Sequence, residues 1–150
     1  MKRILDSLSE DETKRIAKLI GEKLKGGEVI ELVSDLGGGK TTFVSGLVAG
    51  AGSNDQVASP SFTISKIYTA NELTIKHFDF YRLADAGVIA YELAESADDP
   101  KTVIVVEWAG IVEKLLPDNR LKIEFSVKDE KARQLTFNYP KPTEYLIKGL

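Results

Sequence analysis

Cysteine is absent from this 150-residue sequence, and histidine occurs once, at His77. The first absence excludes disulfides and thiolate metal sites. The second leaves no histidine set for a zinc centre. No stretch approaches the roughly 18 apolar residues of a membrane span, and the N-terminal MKRILDSLSEDETKR has no apolar signal-peptide core. A cytoplasmic protein with no membrane association is expected. Excess positive charge is missing too. A net charge of −3 and a pI near 5.3 argue against a chain that grips nucleic acid through its own bulk electrostatics. There is no repeat, low-complexity tract or linker, and the prolines are scattered. One domain spanning 1–150 is the simplest organisation, long enough to bury roughly 70% of its unfolded surface.

What is present reads as alternating helices and strands. Ser9 and Glu12 form a capping box, and Ile16, Leu19, Ile20 and Leu24 follow at helical spacing until Gly26-Gly27. Residues 28–33 form a short apolar strand, as in a sheet covered on both faces. A helix is expected over 40–49, and strands over 62–68 and 73–80, joined at Ala70-Asn71-Glu72. A helix over 85–97 leads to TVIVVE (102–107), the most hydrophobic strand, which is therefore expected to be central. A short helix follows over 111–116, closed by Pro117. Alternation at Leu121, Ile123, Phe125 and Val127, and at Leu135, Phe137 and Tyr139, predicts a second hairpin. The last ten residues carry little signal. The expected fold is α/β of the phosphate-loop NTPase type, three-layered, its mixed sheet having a parallel core with antiparallel hairpins added.

The chemistry concentrates in SDLGGGKTTF, residues 34–43, between the first apolar strand and a helix. The pattern G-x-x-x-x-G-K-[ST] is met except that Ser34 stands at the first glycine. A strand that turns into a helix aims backbone N–H groups and the helix's positive end at one point, which suits a phosphate chain. Gly37, Gly38 and Gly39 give the backbone room to wrap it. Lys40 would reach the β- and γ-phosphates, the Thr41 hydroxyl would coordinate Mg²⁺, and Thr42 would add an α-phosphate contact. Ser34 shapes the strand exit, outside the amide cradle. It must adopt a permitted backbone angle or carry strain on the order of 1 kcal/mol or more.

Two acids compete for the metal and the catalytic water. Glu107 ends TVIVVE and best fits an acid on a strand beside the loop's own strand. Asp79, in HFDFYRL, is the other candidate, supporting Glu107 or positioning water. SPSFT (59–63) offers hydroxyls around a proline, either as a loop that senses the γ-phosphate or as a polar turn. Trp108 follows Glu107 and lies near the site, although a lone tryptophan is more often core. His77 fits packing or bonding within its strand, with a direct role as the alternative, and Arg133 is a surface arginine unless the sheet carries it over the nucleotide.

SDLGGGKTTF, SPSFT, HFDFYRL and VVEW, in this order, resemble the TsaE (YjeE) family, whose pattern is close to GDLGAGKTT, SPTF, HFDLYRL and EW. The likeness runs from about Ser9 to Arg133. Ser34, Gly38, Ser61 and Phe80 depart from it, as does ADAGVIAYELAES. The resemblance implies an ATPase required for threonylcarbamoyladenosine in tRNA, an accessory to a TsaB–TsaD pair acting at adenosine 37, with tRNA met through that pair. It implies that Leu36 to Thr41 bind ATP phosphates and that Thr41 and Glu107 hold Mg²⁺. Asp79 would belong to the catalytic region and Trp108 would lie near the nucleotide. Arg133 would approach ATP from the last hairpin, and Ser9 would border the adenine pocket.

Other functions compete. A small-molecule phosphate-loop kinase needs a lid and an acceptor pocket, and only Arg3, Arg15, Arg82, Arg120 and Arg133 are available to build them. A nucleotide-gated binding module with negligible turnover needs neither. A GTPase is disfavoured because no N-K-x-D motif is present.

Overall fold

A computed structural model of the chain describes residues 1–35, 37–60, 63–85 and 87–150. Its strands are β1 (Lys2–Ser7), β2 (Val29–Val33), β3 (Ser65–Ala70), β4 (Leu73–Asp79), β5 (Thr102–Glu107), β6 (Leu121–Val127) and β7 (Arg133–Asn138). They form one seven-stranded sheet in the order β1-β7-β6-β2-β5-β4-β3. The β6-β2-β5-β4 core is parallel, β7 and β3 flank it antiparallel, and β1 pairs antiparallel with β7. The sheet is thus mixed α/β, with its parallel part in the middle. TVIVVE is buried along its whole length and lies one place from the central strand, β2.

Helices cover both faces. Helices α1 (Glu10–Gly21) and α2 (Lys40–Gly50) share one core with Ile30, Leu32, Val103, Val105, Leu121 and Ile123. Helix α3 (Ile89–Ala97) and a 3-10 helix, Ala109–Leu115, pack on the other face around Phe78, Ile104 and Val106. Helix α1 buries Ile16, Ala17 and Ile20 along one stripe. Helix α2 is held between the sheet and α1, so it is apolar nearly all round. The two helices cross closely because of glycine. A Cβ at Gly46 would lie 2.3 Å from the Lys14 carbonyl oxygen, and one at Gly50 would lie 2.2 Å from that of Lys18.

Several boundaries move from their expected places. Helix α1 stops at Gly21, although Leu24 still packs on the core through the following turn. Helix α3 starts at Ile89 rather than Asp85, since Gly87 has φ 49° and donates its N–H to Asp85 Oδ1. That local turn takes the backbone out of the helix. The segment after Trp108 is a 3-10 helix that begins earlier than expected, with Trp108 left-handed at φ 56°. Strand β3 begins at Ser65; Phe62 and Ser61 lie outside the described residues.

Both chain ends hold structure that periodicity does not reveal. Strand β1 is mostly exposed and is fixed by pairing to β7, from Lys2 opposite Asn138 to Ser7 opposite Arg133. The last residues form a short helix α4 (Glu144–Ile147) that buries Leu146 and Ile147. The Tyr145 hydroxyl donates to Glu28, and burial with that bond pushes its pKa up. Lys23 donates to the Leu146 and Lys148 carbonyls. Among the described residues, no helix is long and apolar enough to cross a membrane.

Candidate active site

The carboxyl ends of the parallel strands gather the chemistry, as open α/β sheets commonly do. Leu32 of β2 lies in register with Glu107 of β5, and Glu107 with Asp79 of β4. Equal register on parallel strands puts both acids on one sheet face. It is the face that carries α2, whose first residue is Lys40. Both carboxylate residues are buried.

Between β2 and α2 the glycine loop turns with Gly37 at φ 77° and Gly39 at φ 100°. Gly39 caps α2 in a conformation that a side chain would strain. Ser34 needs no such conformation, since positive φ among described non-glycine residues belongs to Ile64, Asn71 and Trp108. Its side chain fills space beside Gly38 instead. A Cβ on Gly38 would fall 2.3 Å from Ser34 Oγ and 2.6 Å from Ser34 Cβ. The serine at one loop position and the glycine at the other therefore fit each other across the loop. Gly38→Ala is expected to lower stability by about 1–3 kcal/mol through overpacking. Ser34→Gly added to it should restore most of that loss. Unfolding of all four proteins measures the coupling, and strictly additive single effects would sink the account.

Lys40 is 8% exposed; its Nζ donates to the Ser34 carbonyl at 3.2 Å and lies 4.8 Å from the centre of the Trp108 ring. Tyr81 packs against the same ring, with the two ring centres 4.9 Å apart. Opposite, the turn between β6 and β7 is tied by the Asp129 carboxylate, which accepts the N–H groups of Lys131 and Ala132. The Ala132 N–H, then that of Lys131, hold the Asp129 carboxyl below the usual carboxylate range. This turn delivers Arg133 to the loop, where its Nη2 donates to the Gly37 carbonyl. Arg133 Nε is buried with no partner among the described residues.

These parts enclose a cleft of about 310 Å³ lined by Gly37 to Thr42, Asp79, Glu107, Trp108 and Arg133. Every expected site residue thus meets here except two. Leu36 lies outside the described residues. Ser9 is not in the lining: its hydroxyl caps α1 by accepting the Glu12 N–H at 3.1 Å, while the Glu12 carboxylate accepts from Leu8. Its neighbours Glu10 and Thr13 line the cleft instead, as do Ser59 and Lys131. Thr13 sits one turn into α1, and Lys131 precedes Arg133 by two residues. Spacing alone was a signal for Lys131, whereas Glu10 and Thr13 become visible only with the packing.

His77 is fully buried, and its Nε2 meets Glu107 Oε1 at 2.9 Å. The Asp79 carboxylate accepts the Tyr81 N–H at 3.0 Å, which turns the chain after β4. Chemically, the cleft sets partly unsatisfied cationic donors and a helix N-terminus against two carboxylates. That arrangement suits an anion on one side and a metal between the two.

A sequence model of the family described as "Threonylcarbamoyl adenosine biosynthesis protein TsaE" matches residues 7–135. The chain belongs to the TsaE family. Among TsaE relatives, it is 38% identical over 135 residues to the tRNA threonylcarbamoyladenosine biosynthesis protein TsaE of Bacillus subtilis, covering 87% of this chain and 82% of the relative. The protein of the same name from Treponema pallidum is 34% identical over 130 residues, covering 87% and 96%. The TsaE chain also resembles the crystal structure of Bacillus subtilis YdiB, with a TM-score of 0.81 and 34% identity over 99% of this chain and 93% of that one.

Proposed function

We propose that this TsaE-family chain is a Mg²⁺-dependent ATPase serving threonylcarbamoyladenosine formation at adenosine 37 of tRNA, in the cytoplasm, as an accessory to TsaB–TsaD. One observation carries the reading: Glu107 and Asp79 stand in register on the sheet face of the helix whose first residue is Lys40. The names of its relatives supply the pathway.

The residues present fit the nucleotide. Lys40 and Arg133 both approach the glycine loop, and Arg133 Nε has no partner among the described residues. A Cβ added at Gly39 would meet nothing closer than Arg133 Nε, at 3.9 Å. Lys40 and the loop amides would bind the phosphates, and Thr41 and Glu107 would hold Mg²⁺. Among the described residues, no group of three or more histidines or acids is placed to hold a metal alone. Mg²⁺ at phosphate sites takes one or two protein ligands with phosphate oxygens and water. When bound, it neutralises charge on the β- and γ-oxygens. Trp108 walls the cleft beside Lys40, and Tyr81 packs on the Trp108 ring.

The chain has no basic stretch that would hold tRNA alone, so its hydrolysis is expected to be slow until TsaB–TsaD engages it. The test is ATP hydrolysis with Mg²⁺ or with chelator, then modification of tRNA by TsaB–TsaD with and without this chain. The expected result is weak Mg²⁺-dependent turnover alone and modification that requires the chain and hydrolysable ATP. Modification that proceeds equally without the chain overturns the proposal.

A further inference from the structure

We propose that His77 is a positioning residue, which fixes the Glu107 carboxylate in the orientation from which Glu107 would hold Mg²⁺. The inference rests on the functional reading above and deepens it at one side chain. His77 stands in register with Val105, two residues before Glu107. The bond from His77 to Glu107 therefore runs diagonally across the β4–β5 pair on one sheet face.

That face carries the fully buried Ile75, Val103 and Val105, with Lys66 directly opposite His77 on β3 and Asp79 two residues further along β4. Histidine there leaves Nδ1 buried without a hydrogen-bond partner among the described residues, an arrangement that costs stability. What it gains there is the 2.9 Å contact with Glu107 Oε1. With a carboxylate as acceptor, the ring proton sits on Nε2. One glutamate oxygen is then fixed, and Oε2 is left to meet a ligand in the cleft that Glu107 lines. Partners of this kind orient metal-binding side chains and set metal affinity.

The test titrates Mg²⁺ into the full-length protein with ATP and reads nucleotide binding by calorimetry, beside ATP binding without metal. His77→Asn places its amide near the Nδ1 position and cannot reach Glu107. His77→Gln places a donor near the Nε2 position and can. His77→Asn should raise the Mg²⁺ needed for half-saturation about 10- to 100-fold, with metal-free ATP binding unchanged. His77→Gln should recover to within about threefold of the parent, as a shared donor geometry implies. A merely structural histidine would shift binding with and without metal alike.

Because the chain holds a single histidine, ¹⁵N-imidazole NMR of the unaltered protein gives one set of ring signals and needs no variant to fold. It should show the Nε2–H tautomer, with signals that move on adding Mg²⁺ to the ATP-bound form. A Nδ1–H tautomer, or His77→Asn with the parent's Mg²⁺ dependence, overturns the inference and leaves the ATPase reading standing. A parent protein whose ATP binding ignores Mg²⁺ overturns both.

Discussion

Lys40→Ala is expected to lower ATP hydrolysis by about 10²–10³-fold, the usual consequence of deleting a preorganised charge at a reacting group. The geometry says why the loss falls on the ligand and spares the fold. Lys40 occupies the first position of α2, where alanine is a better helix former. Among the described residues its ammonium makes one hydrogen bond, to the Ser34 carbonyl, and it rests over the Trp108 ring. A cation over tryptophan with little exposure is worth on the order of 1 kcal/mol. The ligand-free variant should therefore unfold within about that margin of the parent. At ATP concentrations a hundredfold above its dissociation constant, the parent gains about 2.7 kcal/mol of stability and the variant should gain almost none. Trp108 is the sole tryptophan, so its emission should change when the ammonium leaves its face. A Lys40→Ala protein that keeps both the ATP-induced shift and the hydrolysis would remove Lys40 from the site.

The strand–loop–helix unit at the centre of the site was legible because each of its parts is local. An apolar run, three glycines and a lysine at the helix start are all contiguous. The two acids were legible as strand ends. Their adjacency was not, since it depends on the parallel register between β4 and β5. For the same reason the diagonal bond from His77 to Glu107 cannot be read from residues thirty apart. Ser34 and Gly38 were each visible as departures from the family pattern, yet only the close approach across the loop shows that they fit each other. Strand β1 escaped because little of it is buried and its partner lies at the far end of the chain. That pairing sets the entry to α1, and hence brings Glu10 and Thr13 to the cleft. Ser9 was legible as a cap, and capping is what the structure shows its hydroxyl doing.

Glu107→Gln separates an ATP-driven cycle from nucleotide-dependent docking. The substitution keeps shape and an acceptor for His77 Nε2, whose present contact is 2.9 Å. It removes the charge facing the cleft. Folding stability should change little, because Gln fills the same buried position and keeps the hydrogen bond. Nucleotide should still bind through Lys40, the loop amides and Arg133, although more weakly with Mg²⁺. Hydrolysis should fall by about 10²–10⁴-fold, since the site loses its leading candidate for holding the metal and ordering water. Asp79 is a poor substitute, as its Oδ1 already accepts the Tyr81 N–H that turns the chain. With excess tRNA and TsaB–TsaD, the variant should assemble and then fail to sustain repeated rounds of modification. Multiple-turnover assays decide the matter, read beside a direct measure of residual hydrolysis. A hydrolysis-dead variant that modified tRNA as many times as the parent would make ATP a docking ligand here, and this chain a nucleotide-gated binding module.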